Sequence, residues 1–181
     1  MKILVASDIH GSAYWCERLL ERFEKEGAER ILLLGDILYH GPRNDLPRDY
    51  APKKVIAMLN EKRDLIWSVR GNCEAEVDQM VLTFPVLADY CIVTSGSKAV
   101  YATHGHVYNE GNLPPLKEGD VLLHGHTHVW KAEKMQDHYL LNPGSVSIPK
   151  ENNPETYAIL EDDVFTVKTM DGDEIGSIVL E

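Results

Sequence analysis

Apolar residues arrive along this chain in short blocks, and the spacing between blocks changes half-way. Ile3-Leu4-Val5-Ala6, Ile31-Leu32-Leu33-Leu34 and Leu65-Ile66-Trp67-Ser68-Val69 are nearly continuous apolar runs, the pattern of strands buried on both faces. Between them the period is helical. Trp15, Leu19, Leu20 and Phe23 fall on one face of a helix that Ser12 caps and that runs through about Glu26, where Gly27 stops it. Tyr39 to Pro52 is rich in proline and reads as a long loop. Pro52 opens a second helix with Val55, Ile56 and Leu59 on its buried side, and Glu74 to Val81 form a short third one. Trp15 and Trp67 fit core positions.

The second half is mostly β. Cys91 to Thr94 and Ala99 to Thr103 flank Ser95-Gly96-Ser97-Lys98, a hairpin signal. Further strands are expected at 121–124, 129–135, 138–142, 156–161, 164–170 and 174–180, with Asp162-Asp163 and Asp171-Gly172-Asp173 as turns. Strand–helix units passing into β structure suit two facing sheets with helices outside. No linker or repeat divides the chain, so residues 1–181 are expected to form a single domain.

Five of the apolar runs end on residues that bind metal. They lead into Asp8-Ile9-His10, Gly35-Asp36, Gly71-Asn72, His104-Gly105-His106 and His124-Gly125-His126-Thr127-His128. Ligands in layered α/β proteins bind outside the carboxyl ends of the strands, so these tips are expected to share one crevice. Residues two apart in an extended segment face alike, which would aim Asp8 with His10 and His126 with His128. His124, one residue before Gly125, would then point away and be structural. Carboxylate and amide oxygens mixed with imidazoles favour manganese, iron or zinc over calcium or magnesium.

The net charge of −11, with no Lys/Arg-rich block, argues against a duplex nucleic-acid binder. It does not argue against a small anionic substrate, because bound cations reverse the local potential. Cys16, Cys73 and Cys91 make neither a zinc pair nor a disulfide framework, and no apolar run is long enough for a bilayer span. A cytoplasmic protein is the expectation, and a homo-oligomer is compatible with everything above.

The five blocks, in this order and with these gaps, resemble those of the calcineurin-like metallophosphoesterases. Gly35-Asp36-Ile37-Leu38-Tyr39-His40-Gly41-Pro42-Arg43-Asn44 and Asn142-Pro143-Gly144-Ser145-Val146-Ser147 look similar to the small bacterial YfcE-type phosphodiesterases, relatives of the Vps29 scaffold. The resemblance implies a four-layer α/β/β/α sandwich of two mixed sheets flanked by helices. It implies one divalent ion on Asp8, His10 and His128, a second on Asn72, His104 and His126, and Asp36 between them, with manganese the expected metal and zinc, iron or nickel alternatives. The implied reaction is attack of a bridging hydroxide on a small phosphodiester, with a monoester the alternative substrate.

One departure stands out. The family's third block reads Gly-Asn-His, but here it reads Gly71-Asn72-Cys73. That His is commonly the acid for the departing alcohol, and a neutral thiol replaces it poorly. Catalytic candidates are therefore Asp36, Cys73 and His106; substrate candidates are Asn72, His106, Arg43 and His40. Cys73 also reads as a small buried residue, and Asn142 to Ser145 most simply as a tight turn. A TIM-barrel hydrolase fits poorly in so short a chain. A scaffold of the Vps29 kind is the competing function.

Overall fold

The computed structural model describes residues 1–181. In chain order the elements are β1 (Ile3–Ala6), α1 (Ala13–Glu26), β2 (Arg30–Leu33), α2 (Pro52–Glu61), β3 (Ile66–Ser68), α3 (Glu76–Val81), β4 (Cys91–Ser95), β5 (Lys98–Ala102), β6 (Val121–Leu123), β7 (Lys131–Lys134), β8 (Tyr139–Asn142), β9 (Thr156–Glu161), β10 (Val164–Thr169) and β11 (Glu174–Val179). Every expected element is present, with ends shifted by a residue or two. The caps behave as their chemistry dictates. Ser12 accepts the Trp15 N–H, Gly27 closes α1 at φ 64°, and Pro52 sits at the start of α2.

The strands form two mixed sheets. One has six strands in the order β11-β10-β9-β1-β2-β3, with β1, β2 and β3 parallel. The other has five in the order β4-β5-β6-β8-β7, with β5, β6 and β8 parallel. Alternation along each strand splits the apolar residues between two cores. Ile3, Val5, Leu32 and Leu34 meet Val100, Val121, Leu123 and Leu141 between the sheets. Leu4, Ala6, Ile31 and Leu33 face the other way, against Cys16, Leu19, Val55 and Leu59 of α1 and α2.

Two mixed sheets with flanking helices match the expected sandwich, but no helix covers the outer face of the five-stranded sheet. Leu122 and Leu140 point to that face and are fully buried, and the irregular stretch 103–120 lies over it. Pro114 of that stretch is buried, and Tyr108 stands edge-on to Tyr101 at 5.7 Å. Gly105, Gly111, Pro114, Pro115 and Gly119 leave no run long enough for a helix. Trp67 also departs from expectation. It is 37% exposed, because β3 is an edge strand whose inner side the second sheet leaves partly open. The Arg30 guanidinium packs over its ring instead.

The parallel strands β1, β2, β3, β5 and β6 all release their loops at one end of the sandwich. Those loops carry the candidate ligands.

Candidate metal centre

The loops after β1 and β2 are stitched side by side. The amides of Asp8, His10 and Gly11 donate to the carbonyls of Gly35, Asp36 and Ile37 at 3.1, 2.9 and 2.8 Å. Within the five-stranded sheet the Gly125 amide donates to the His104 carbonyl at 2.8 Å, and across the sheet interface the His126 amide donates to Asp8 Oδ2 at 3.1 Å. Seven side chains converge as a result, in two groups.

Asp8 Oδ1, His10 Nε2 and His128 Nε2 form a near-equilateral triangle. Its sides are 3.4 Å (His10 to Asp8), 3.2 Å (His128 to Asp8) and 3.4 Å (His10 to His128). In the second group His104 Nε2 lies 3.1 Å from Asn72 Oδ1 and 3.1 Å from His126 Nδ1. Asp36 offers one oxygen to each: Oδ2 is 3.7 Å from His10 Nε2 and Oδ1 is 3.5 Å from His104 Nε2. Donors held about 2.1 Å from a common ion stand roughly 3.0–3.5 Å apart, so both groups have the right size.

Two further observations test the fit. Asp8 Oδ1 is fully buried and has no hydrogen-bond partner, which is costly for a carboxylate oxygen unless a cation meets it. The imidazoles are also pre-oriented. His10, His104 and His128 each donate Nδ1–H to a backbone carbonyl, of Tyr39 (2.7 Å), Leu34 (2.6 Å) and Ile148 (2.7 Å). That fixes the tautomer and turns the Nε2 lone pair inward. Burial and the neighbouring His104 push His126 down to about 4, so its Nδ1 is free to ligate at neutral pH. The residues fit a pair of divalent cations.

The pairs Asp8/His10 and His126/His128 do point together, though not by strand alternation. All four residues, and Asp36, have left-handed backbone, with φ between 49° (His10) and 66° (His126). The chain curls sharply at each ligand, a conformation that Asp and His adopt more readily than most residues and that concentrates at functional sites. Close approach is needed too. A Cβ on Gly71 would sit 2.2 Å from Asp36 Oδ1, and one on Gly125 would sit 1.9 Å from Ser7 Oγ.

The remaining candidates divide. His106 is exposed beside the second donor group, its ring centroid 5.4 Å from that of His104, but it does not line the crevice. Cys73 is half-buried rather than buried, with Sγ donating to Asp36 Oδ2 at 3.3 Å. Burial first, then the Asp36 charge, push this thiol up, so it stays protonated. Arg43 lines the crevice in front of the donors, whereas His40 does not; its ring packs edge-on to Tyr39 and Tyr50. His124 is buried and donates to the Gly125 carbonyl.

Two supports were not foreseen from the sequence. Glu74 is 4% exposed, and its carboxylate accepts three amides, from Asp36 (2.8 Å), Ile37 (2.7 Å) and Gly71 (2.6 Å). Burial pushes this carboxyl up, against the pull of the Ile37 amide. The available signal was spacing: a Glu three residues after Gly71 can reach back to its N–H, as in a capping box. The second is the segment after β8. Asn142 Oδ1 does close a turn onto the Gly144 amide, but its Nδ2 also donates to the Gly125 carbonyl (2.9 Å) and Thr127 Oγ1 (3.1 Å). Ser145 and Ser147 both donate to the Asp8 carbonyl at 3.1 Å. The turn therefore buttresses Asp8, His126 and His128 from behind. Asn142→Ala is expected to weaken metal binding about tenfold to a hundredfold while leaving the fold in place, as isothermal titration with Mn²⁺ would show. Unchanged affinity would reduce the segment to a turn.

Residues 1–163 match the calcineurin-like phosphoesterase superfamily domain. The chain belongs to that superfamily. It is accordingly a hydrolase of phosphoric esters, and the family implies divalent metal ions. Phosphodiesterase YfcE of Escherichia coli (strain K12) is 48% identical over 175 residues, covering 97% of this chain and 95% of that protein. The probable metallophosphoesterase YsnB of Bacillus subtilis (strain 168) is 27% identical, with 97% and 95% covered. Among solved structures, Yfce, a phosphoesterase from E. coli, superposes with a TM-score of 0.97 at 47% identity over the whole of both chains. Vacuolar Protein Sorting 29 from Cryptosporidium parvum shares the fold, with a TM-score of 0.61 at 17% identity over 98% and 97% of the two chains.

Proposed function

We propose that the chain is a metal-dependent phosphodiesterase that works through two divalent ions, one in each donor group. The observation that carries this reading is Asp36, which offers one carboxylate oxygen to each group beside the orphaned Asp8 Oδ1. When bound, such a pair supplies a hydroxide near neutral pH and a clamp on the phosphoryl oxygens for in-line attack. Asp8, His10 and His128 hold the first ion, Asn72, His104 and His126 the second. Manganese is the proposed metal, with zinc, iron and nickel suited to the same donors. Asn72, exposed at the crevice floor, Arg43 on its wall and His106 beside the second donor group are the proposed substrate contacts. His40 acts on the substrate only through the loop it packs.

No side chain in the position of the family's imidazole acid replaces it. Cys73 keeps its proton and spends it on Asp36. The departing alcohol therefore leaves without a strong acid, which favours aryl and other low-pKa alcohols. Cys73→His is expected to raise kcat/KM on alkyl diesters relative to aryl diesters by about tenfold or more. An unchanged ratio would remove Cys73 from the chemistry.

No helix is long and apolar enough to cross a membrane, and all three cysteines are unpaired. The proposed location is the cytoplasm. The deciding experiment is hydrolysis of an aryl phosphodiester and its monoester by metal-stripped protein, re-supplied in turn with Mn²⁺, Zn²⁺, Ni²⁺ and Mg²⁺. Metal-dependent turnover favouring the diester is expected. No turnover with any ion, from protein that remains folded, would put a scaffold role of the Vps29 kind ahead.

A further inference from the structure

The crevice in front of the donors measures about 530 Å³. That is the size of a site for a whole small organic molecule, so a phosphate at the metals leaves room for one of its ester arms. The wall available to that arm is unusual. Apart from Pro42 and Cys73 it is polar or glycine, and it offers no aromatic ring beyond the imidazoles of His126 and His128. A nucleobase or aryl arm gains from a stacking platform, and none is provided.

The wall does provide two cations, Arg43 and Lys150. Neither has a carboxylate partner; other cations of the chain, such as Lys53 and Lys98, are unpaired too, but Arg43 and Lys150 are the two that line this crevice. Both are anchored at the backbone. The Lys150 amide donates to the carbonyl of the ligand His128 at 3.1 Å, and its own carbonyl accepts the Asn153 amide at 3.1 Å. Arg43 sits in a turn closed by Asn44, whose Nδ2 donates to the His40 carbonyl at 2.8 Å. Their charged ends are left to swing over the crevice. In a chain of net charge −11, two unpaired cations at the mouth of one site make a local anion trap against the general field. Arg and Lys both take carboxylate or phosphate oxygens.

We propose that the substrate carries a second anionic group, a carboxylate or a phosphate, on the ester arm that lies along Arg43 and Lys150. This rests on the phosphodiesterase reading above and narrows its substrate class to dianionic or more highly charged diesters.

The test uses the manganese-loaded protein and three diesters of 4-nitrophenol that share a leaving group. Their second arms are 2-methoxyethyl, 2-carboxyethyl and 2-phosphonoethyl. The ratio of kcat/KM for a charged arm to that for the methoxyethyl arm is expected to be about five to ten, mostly through KM, and to fall with added salt. Arg43→Glu and Lys150→Glu should bring the ratio to one or below, while Lys53→Glu, an exposed cation on α2, should leave it unchanged. Because the readout is a ratio, partial loss of folding or metal cancels. Whichever charged arm has the higher ratio identifies carboxylate or phosphate as the natural group. A wild-type ratio near one, or a ratio that survives both charge reversals, overturns the proposal while the phosphodiesterase reading stands. Absence of metal-dependent turnover on all three diesters overturns both.

Discussion

Asp36→Asn is expected to lower kcat/KM on an aryl phosphodiester by about 10³-fold or more, measured with Mn²⁺ in excess. The substitution keeps size and shape but removes the charge and one of the two oxygens. Each donor group loses its share of a common ligand, and stabilisation worth several kcal/mol in the transition state is forfeited, at about 1.4 kcal/mol for every factor of ten. The fold should hardly notice. Asn tolerates the left-handed backbone at φ 54°, and its carbonyl oxygen can still accept the Cys73 amide that now bonds Asp36 Oδ1 at 2.9 Å. Ala is a poorer test, because it adds a backbone penalty of about 1 kcal/mol at that φ. Activity within tenfold of wild type would refute a shared carboxylate. Global unfolding would mean that the carboxylate is structural before it is catalytic.

Glu74→Ala is expected to be strongly destabilising, although Glu74 is not itself one of the seven donors. It strands the amides of Asp36, Ile37 and Gly71 in a buried pocket. An unsatisfied buried amide costs about 1–3 kcal/mol, and water entering the space recovers part of that, so a loss of roughly 3–5 kcal/mol is expected. For a chain of this size that lowers Tm by roughly 10 °C or more. Activity should fall further than stability alone explains, because the same carboxylate fixes the curl that aims Asp36. Glu74→Gln is a graded control: its oxygen can still accept, but its NH₂ faces an N–H, donor against donor. Thermal melts, and Mn²⁺ titrations run below the melting range, separate the two effects. A Tm shift of only a degree or two with normal metal affinity would show that water replaces the carboxylate.

Much of this was legible in the chain. Strands buried on both faces leave continuous apolar runs, and such runs stop where the chain leaves the core, so the block ends at Asp8, Asp36, Asn72, His104 and His126 were visible as strand tips. Helix limits were marked by Ser12, Gly27 and Pro52, whose chemistry is local. What depended on tertiary placement was less visible. Two-residue spacing correctly paired Asp8 with His10, yet the pairing arises from left-handed curls that spacing does not encode. Trp67 belongs to a strand like its neighbours, but only sheet order reveals that the strand is an edge. Glu74 and Asn142 read as a helix start and a turn because their partners, Asp36 and Gly125, are far away in sequence. His40 and Arg43 share a loop, and nothing in the chain told which of them faces the crevice.

The division of the donors between the sheets has a mechanical consequence. Asp8, His10, Asp36 and Asn72 follow strands of the six-stranded sheet, while His104, His126 and His128 follow strands of the five-stranded one. Each donor group draws on both, so an ion held as proposed would clasp the seam of the sandwich. Elsewhere along that seam the two layers meet mainly through apolar packing, with a few hydrogen bonds such as Ser95 Oγ to Asp163 and Tyr139 OH to Glu181. At the donor end, with ions bound, they could separate only by breaking coordination bonds as well as the hydrogen bonds of Asp8 and His104. Metal loading should therefore slow unfolding more than it speeds folding, and chelation should let the layers part from this end first. Ions bound there for catalysis would then also set how long the protein survives.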